Sequence, residues 1–214
     1  MKLYKNDRIL FLGDSITDNF RNREDEKSLG LGFPLITSAF LAAEYPQATF
    51  TFYNRGIGGN QVEDILKRMD KDCLALKPDV LIFMIGINDT WHNEHGETFG
   101  SKQEAVRFEK AYRQFLEKVT QAGIKRVLLL EPYVLPYPEE ERNAWRVDLD
   151  QKIQSVRALA KEFGCEFIPL DGIFAEKAIL ANPEYYAADG VHPTPAGDGV
   201  IAKEILSRCV YVDK

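Results

Sequence analysis

Ser15 is the first residue of the chain placed where chemistry is usually done. It follows Ile9-Leu10-Phe11-Leu12-Gly13-Asp14, an apolar run stopped by a glycine and a carboxylate. A short unbroken apolar run fits a strand buried on both faces, and glycine permits the tight turn that delivers the serine to its end. Asp14, Ser15 and Thr17 are also ordinary cap and turn residues, so the serine alone specifies nothing. Three further stretches change that reading. Gly56-Ile57-Gly58-Gly59-Asn60 and Gly86-Ile87-Asn88-Asp89 each follow an aromatic or apolar run, and Asp189-Gly190-Val191-His192 precedes the last helical pattern. A serine hydrolase needs a nucleophile, an imidazole to take its proton, a carboxylate to hold that imidazole, and donors for the oxyanion. Ser15, His192 and Asp189 can fill the first three roles, because Asp189 is close enough in sequence to meet the His192 ring. The Asn88 amide and the Gly59 backbone N–H can supply the donors.

The intervening elements must carry these turns to one place. Besides the run before Ser15, strands are expected at 49–53, 80–85 and 127–130, with a weaker one at 166–170. Helical spacing of apolar residues is expected over 33–45, from Val62 to before Pro78, from Ala105 to a cap near Gly123, over 145–163, and from Pro195 to about Ser207. Five strands alternating with helices imply an α/β fold, a three-layer α/β/α sandwich around a five-stranded parallel sheet, because parallel strands need crossover connections. In such sheets ligands gather outside the carboxyl ends of the strands, where these turns fall. The length of 214 residues and the 45% hydrophobic content suit one domain spanning 1–214. Segment 21–27 reads as a solvated mixed-charge loop and 91–100 as a polar insertion.

In this order and at these intervals, Gly13-Asp14-Ser15, Gly59, Gly86-Ile87-Asn88-Asp89 and Asp189-Gly190-Val191-His192 resemble the four sequence blocks of the GDSL esterases, the SGNH hydrolase superfamily. The resemblance spans nearly the whole chain and implies a flavodoxin-like SGNH hydrolase fold. It implies Ser15 as nucleophile, Asp189 and His192 as its partners, and an oxyanion hole built from the Ser15 N–H, Gly59 and Asn88. Gly86-Ile87-Asn88-Asp89 followed by Thr90 and Trp91, with the 54–60 turn, is similar to small intracellular carbohydrate acetylesterases acting on acetylated xylo-oligosaccharides. The implied function is a serine esterase that cleaves short-chain esters, O-acetyl groups on oligosaccharides, through an acyl-enzyme. A lysophospholipase or acyl-thioesterase is the alternative among enzymes, and an inactive carbohydrate-binding scaffold the alternative outside them. Asp14, Trp91 and Tyr133 are the candidates for substrate contact. Trp91 can wall an acetyl pocket, stack on a sugar or simply pack, and Tyr133 can line a pocket with Tyr137 and Trp145 or belong with them to a mobile or interface segment, because Pro132, Pro136 and Pro138 prevent regular structure. The Gly-x-Ser-x-Gly elbow of the commoner α/β-hydrolases is missing.

Charge and composition argue against other classes. With 33 acidic and 27 basic residues the net charge is −6, which opposes a sequence-independent grip on nucleic acid. The apolar runs are too short for a membrane span or a signal-peptide core, so a cytoplasmic location is expected, with a small-molecule ester as partner and no membrane. The resemblance allows a homo-oligomer. The three cysteines, Cys73, Cys165 and Cys209, are scattered and read as free thiols. Gln61 stands where a dinucleotide fingerprint needs its third glycine, and His92 and His95 lie on a polar loop rather than one helical face. No metal or organic cofactor is therefore expected. Lys67, Arg68 and Lys71 read as an exposed helix face.

Overall fold

The computed structural model describes residues 1–213. In chain order its elements are β1 (Lys2–Leu3), β2 (Arg8–Gly13), α1 (Ser15–Asp18), α2 (Phe33–Glu44), β3 (Thr51–Gly56), α3 (Val62–Asp72), β4 (Val80–Met84), α4 (Ile87–Trp91) and α5 (Lys102–Gln121). There follow β5 (Arg126–Leu130), α6 (Glu139–Ala144), α7 (Arg146–Phe163), β6 (Glu166–Ile168), α8 (Leu170–Leu180), α9 (Pro183–Tyr186), α10 (Pro195–Arg208) and β7 (Val210–Tyr211). The apolar runs form a five-stranded parallel sheet in the order β3-β2-β4-β5-β6. After β2 the chain crosses to β3 on one side and then to β4 on the other, which makes the end of β2 a topological switch point, the usual place for a ligand crevice.

Both faces of the sheet are covered because successive side chains point to opposite faces. Leu10, Leu12, Leu81, Phe83 and Leu129 pack with Ile65 and Met69 of α3, Phe108 and Phe115 of α5, and Leu159 of α7. Ile9, Phe11, Ile82, Leu128 and Leu130 pack on the other face with Phe33 and Leu41 of α2 and Ile201 and Ile205 of α10. Each such fully buried side chain contributes roughly 1.5–3 kcal/mol, so the sheet is a rigid platform for the turns at its edge. The three-layer α/β/α arrangement expected from the sequence is the one observed.

The structure also departs from the sequence reading in places. The strand expected at 49–53 runs from Thr51 to Gly56, because Thr49 takes a left-handed turn (φ 51°) and pairing with β2 continues to the Gly13–Gly56 step. Helix α8 was not expected. It buries only Leu170 and Phe174 and shows no apolar stripe. Strands β1 and β7 pair in parallel as a two-stranded sheet that joins the chain ends, each too short to show a pattern. Among the described residues no helix is long and apolar enough to cross a membrane.

The register sets Gly13 beside Gly56 on one side and Met84 on the other. A Cβ on Gly13 would lie 2.3 Å from Thr17 Oγ1 and 2.4 Å from the Met84 carbonyl oxygen. The carbonyl belongs to a central strand and cannot step aside, so Gly13→Ala should destabilise the fold by about 2–3 kcal/mol. The check is a lower urea midpoint at unchanged slope; an unchanged midpoint would show that the strand ends can spread.

Candidate active site

Directly after β2, Asp14 caps α1, its Oδ1 accepting a hydrogen bond from the Ile16 N–H at 3.0 Å. The cap starts a helical turn one residue beyond the strand and puts Ser15 at its first position. Ser15 Oγ lies 2.8 Å from His192 Nε2, and His192 Nδ1 lies 2.7 Å from Asp189 Oδ2. The other carboxylate oxygen, Oδ1, accepts from the backbone N–H groups of Val191 (3.0 Å) and His192 (2.7 Å). Burial alone would raise the Asp189 pKa, but these bonds and the adjacent imidazole outweigh it and hold the carboxyl well below its usual range. Because Asp189 is ionised, His192 Nδ1 carries the proton and Nε2 is free to accept the serine hydrogen. The same hydrogen bond raises the His192 pKa, against the opposing effect of its burial.

The loop carrying Asp189 and His192 is fastened from several sides. Gly190 has φ 80°, and a Cβ there would lie 2.4 Å from the Tyr137 carbonyl oxygen and 2.6 Å from that of Leu135. Leu135 N–H donates to the Gly190 carbonyl at 2.8 Å, and Tyr133 Oη donates to the Val191 carbonyl at 2.9 Å. Arg142 Nε donates to the Asp189 carbonyl at 2.8 Å. Its guanidinium carbon lies 4.1 Å from the Trp145 ring centre and 4.9 Å from that of Trp91, so cation–π contact with two indoles holds the arm in place.

The neighbouring turns bring in the donors. Gly59 has φ 79°, a conformation that exposes a backbone N–H most readily without a side chain. Asn88 sits in the first turn of α4, and its Nδ2 donates to the Asn60 carbonyl at 3.1 Å, which orients the amide and leaves its second hydrogen for another acceptor. Gln61 Nε2 donates back to the Asn88 carbonyl at 3.2 Å. Behind them lies Arg68, which does not belong to an exposed face as the sequence suggests, its side chain being only 15% exposed. Its Nε donates to Asn60 Oδ1 at 2.7 Å, Nη1 to the Arg55 carbonyl at 2.8 Å, and Nη2 to the Gly13 carbonyl at 2.9 Å. One guanidinium thus stitches the exits of β2 and β3 together, while Lys67 is exposed as expected.

A buried charge network anchors α4. Asp89 accepts from the Val62 N–H at 3.1 Å and from Arg107 Nη2 at 3.2 Å, and burial pushes its pKa up to about 7 against the pull of Arg107. Lys152, with no exposed surface, pairs with Asp148 and donates to the Asp89 carbonyl at 3.2 Å and to Thr90 Oγ1 at 3.3 Å. Thr90 Oγ1 in turn donates to Asp148 Oδ2 at 2.7 Å.

The three substrate-contact candidates separate. Asp14 and Tyr133 are fully buried, so they stand behind the site and do not reach its surface. Burial raises the Asp14 pKa to about 7, with the Ile16 N–H and His192 pulling it down. Trp91 is partly exposed, its ring centre 6.0 Å from that of His192. Trp145, expected beside Tyr133 in a pocket wall, is buried against Trp91. A cavity of about 360 Å³ adjoins Ser15 and His192 and is bounded by Asp18, Asn19, Phe20 and Pro193. Arg68, Arg142, Lys152 and Phe20 were not singled out from sequence as parts of a site. The Arg68/Asp72 and Asp148/Lys152 spacings, each four apart on a helix, are local signals.

Comparison with known proteins accords with this geometry. The model of the GDSL-like lipase/acylhydrolase family matches residues 11–200. An acetylxylan esterase of Geobacillus stearothermophilus is 31% identical over 210 residues, 96% of this chain and 95% of that protein. A second acetylxylan esterase, from Xylanibacter ruminicola, is 27% identical over 219 residues; these cover 95% of this chain but 43% of that longer protein. The solved structure of Axe2, an acetylxylan esterase from Geobacillus stearothermophilus, superposes with a TM-score of 0.83 at 30% identity, covering 97% of this chain and 95% of its own. A structure described as a GDSL-like lipase from Parabacteroides merdae gives 0.89 at 33% identity, covering 96% of each chain. Axe2 has also been solved as catalytic mutants in which a serine or a histidine is replaced by alanine.

The Asp189–His192 pair can be read directly by NMR titration of the imidazole. The hydrogen bond and the negative charge favour the protonated ring, so the His192 midpoint should lie above the ordinary value of about 6.5 and fall in Asp189→Asn. A wild-type midpoint at or below that value would show that the carboxylate does not hold the ring in solution.

Proposed function

This chain belongs to the GDSL-like lipase/acylhydrolase family and is a carboxylic ester hydrolase, and from that premise we propose that it removes O-acetyl groups from xylo-oligosaccharides through an acyl-enzyme on Ser15. The observation that carries the mechanism is the unbroken relay from Ser15 Oγ through His192 to Asp189, with contacts of 2.8 and 2.7 Å. The substrate class is supported by the acetylxylan esterases to which the chain is similar along nearly its whole length.

In this mechanism His192 Nε2 takes the Ser15 proton as Oγ attacks the ester carbonyl carbon. The carbonyl electron pair moves onto oxygen, where the N–H groups of Ser15 and Gly59 and the free hydrogen of Asn88 Nδ2 receive it. Asp189 stays ionised and stabilises the imidazolium without taking its proton. His192 then protonates the sugar oxygen, which departs as the alcohol and leaves acetyl on Ser15. A water molecule deprotonated by His192 attacks that acyl group, and acetate leaves as Ser15 recovers its proton. Every charge that develops has a protein partner, so the cycle calls for no metal or organic cofactor. Trp91 borders the reaction beside His192, whereas Asp14, Tyr133 and Arg142 position the reacting loops.

Two measurements test the reading. p-Nitrophenyl esters from acetate to octanoate, assayed on the wild type and Ser15→Ala together, should be cleaved fastest at acetate, with a loss of about 10⁴-fold or more in the variant. Rising kcat/KM with chain length would redirect the assignment to lipids or thioesters, and equal activity in both proteins would remove Ser15 as nucleophile. Asn88→Ala should lower kcat by about 10²–10³, as expected for one lost oxyanion donor, with KM little changed. An unaltered kcat would exclude Asn88 from the hole.

A further inference from the structure

We propose that Phe20 is the platform on which the sugar leaving group stacks, a specificity-determining contact that rests on the acetyl-carbohydrate reading above. Phe20 is 89% exposed, yet it bounds the same cavity as Ser15 and His192. Isolated exposed apolar residues are ordinary on protein surfaces, and Ile179 and Leu180 on α8 are examples at 84% and 73%. Phe20 differs from them in its place and in its backbone.

Asn19 has φ 37° and Phe20 φ 59°, two successive residues in the left-handed region without a glycine. Asparagine tolerates this conformation; a bulky phenylalanine rarely adopts it unless the surroundings enforce it. Here they do. The Asn19 N–H donates to the Ser15 carbonyl at 3.0 Å, and its Nδ2 donates to Asp198 Oδ2 at 3.0 Å. The other Asp198 oxygen accepts the Phe33 N–H at 2.8 Å, and the Leu31 N–H donates to the Asn19 carbonyl at 2.8 Å. Gly32 packs so closely that a Cβ would lie 2.4 Å from Asn19 Nδ2. The corner is therefore tied to α1, which carries the serine, and to α2 and α10, and it presents an uncovered ring to the cavity.

The mechanism says which part of the substrate meets that ring. His192 must give its proton to the departing oxygen, so the leaving group lies on the His192 side of Ser15, and that is the cavity Phe20 and Pro193 bound. One face of a pyranose is a patch of C–H groups suited to an aromatic surface. Trp91, the other candidate platform, already packs against Arg142 and Trp145.

The test compares O-acetylated xylobiose with ethyl acetate, whose leaving group offers no ring face, on the wild type, Phe20→Ala and Phe20→Trp. Phe20→Ala should lose about tenfold more kcat/KM on acetylated xylobiose than on ethyl acetate, mainly through KM, and Phe20→Trp should recover the difference. Equal losses on both substrates, or none on either, would overturn the platform while leaving the carbohydrate reading intact. A wild type that cleaves ethyl acetate but not acetylated xylobiose would overturn the carbohydrate reading, and the platform with it. Light scattering closes the remaining route: if Phe20→Ala breaks an assembly into monomers, the ring serves a contact between copies and not a sugar.

Discussion

The ends of β2 and β3 have to lie closer to α1, and β2 closer to the β4 backbone, than a side chain would allow. Gly13 stands between Gly56 and Met84 in the register, and a Cβ on Gly56 would sit 2.1 Å from the Asp18 backbone nitrogen. This crowding lets α1 fold back over the end of β3, so that the turns after β2, β3 and β4 share one crevice. Arg68 spans the same gap from below, with three of its hydrogen bonds ending on Gly13, Arg55 and Asn60. A side chain at the glycines would separate Ser15 from Gly59, and loss of the guanidinium would take one donor from each of three acceptors, of which the Gly13 carbonyl keeps the Ile57 N–H at 3.1 Å.

The second support is electrostatic and buried. Helix α4 has only five residues, too few to persist on its own, yet it must aim the Asn88 amide. Its following residues, Asp89 and Thr90, are fully buried and bonded to Arg107, Lys152, Asp148 and the Val62 N–H. Such networks add little net stability, because desolvation offsets most of the attraction, but removing one member strands a charge in the interior. Their effect here is geometric: the turn after β4 has one low-energy arrangement.

The Asp189–His192 loop is organised on the same lines. One carboxylate oxygen is used up on backbone N–H groups, which leaves the other pointed at the imidazole, and Arg142 and Tyr133 hold the loop by its carbonyls. Arg142 contributes to the site without facing the cavity. Asp14 has a similar place, since it caps α1 behind Ser15, and its burial raises its pKa to about 7. The result is a half-exposed triad-like array on a fully buried base.

The features legible from sequence were those set by neighbours along the chain. Apolar runs announced the five strands, glycines and polar residues marked the turns after them, and Asp189 and His192 lie in one loop whose local geometry brings them together. Ser15, Gly59 and Asn88 could be named because each sits where a strand stops. Helix α8 and the β1–β7 pair carried no periodic signal. The functions of Arg68, Lys152 and Arg142 were hidden for a different reason: a charge on a helix reads as solvated until its partners are known, and theirs come from distant segments. Asp14 and Tyr133 show the converse, since a polar residue beside a site motif can point into the core. The left-handed corner at Phe20 is likewise set by Asp198 and Gly32, far along the chain or across a loop. Local chemistry and the alternation of strands with helices were thus written in the sequence, whereas strand order, burial, long-range charge pairing and the orientation of the cavity wall were decided by tertiary packing, because each depends on which distant residues arrive beside one another.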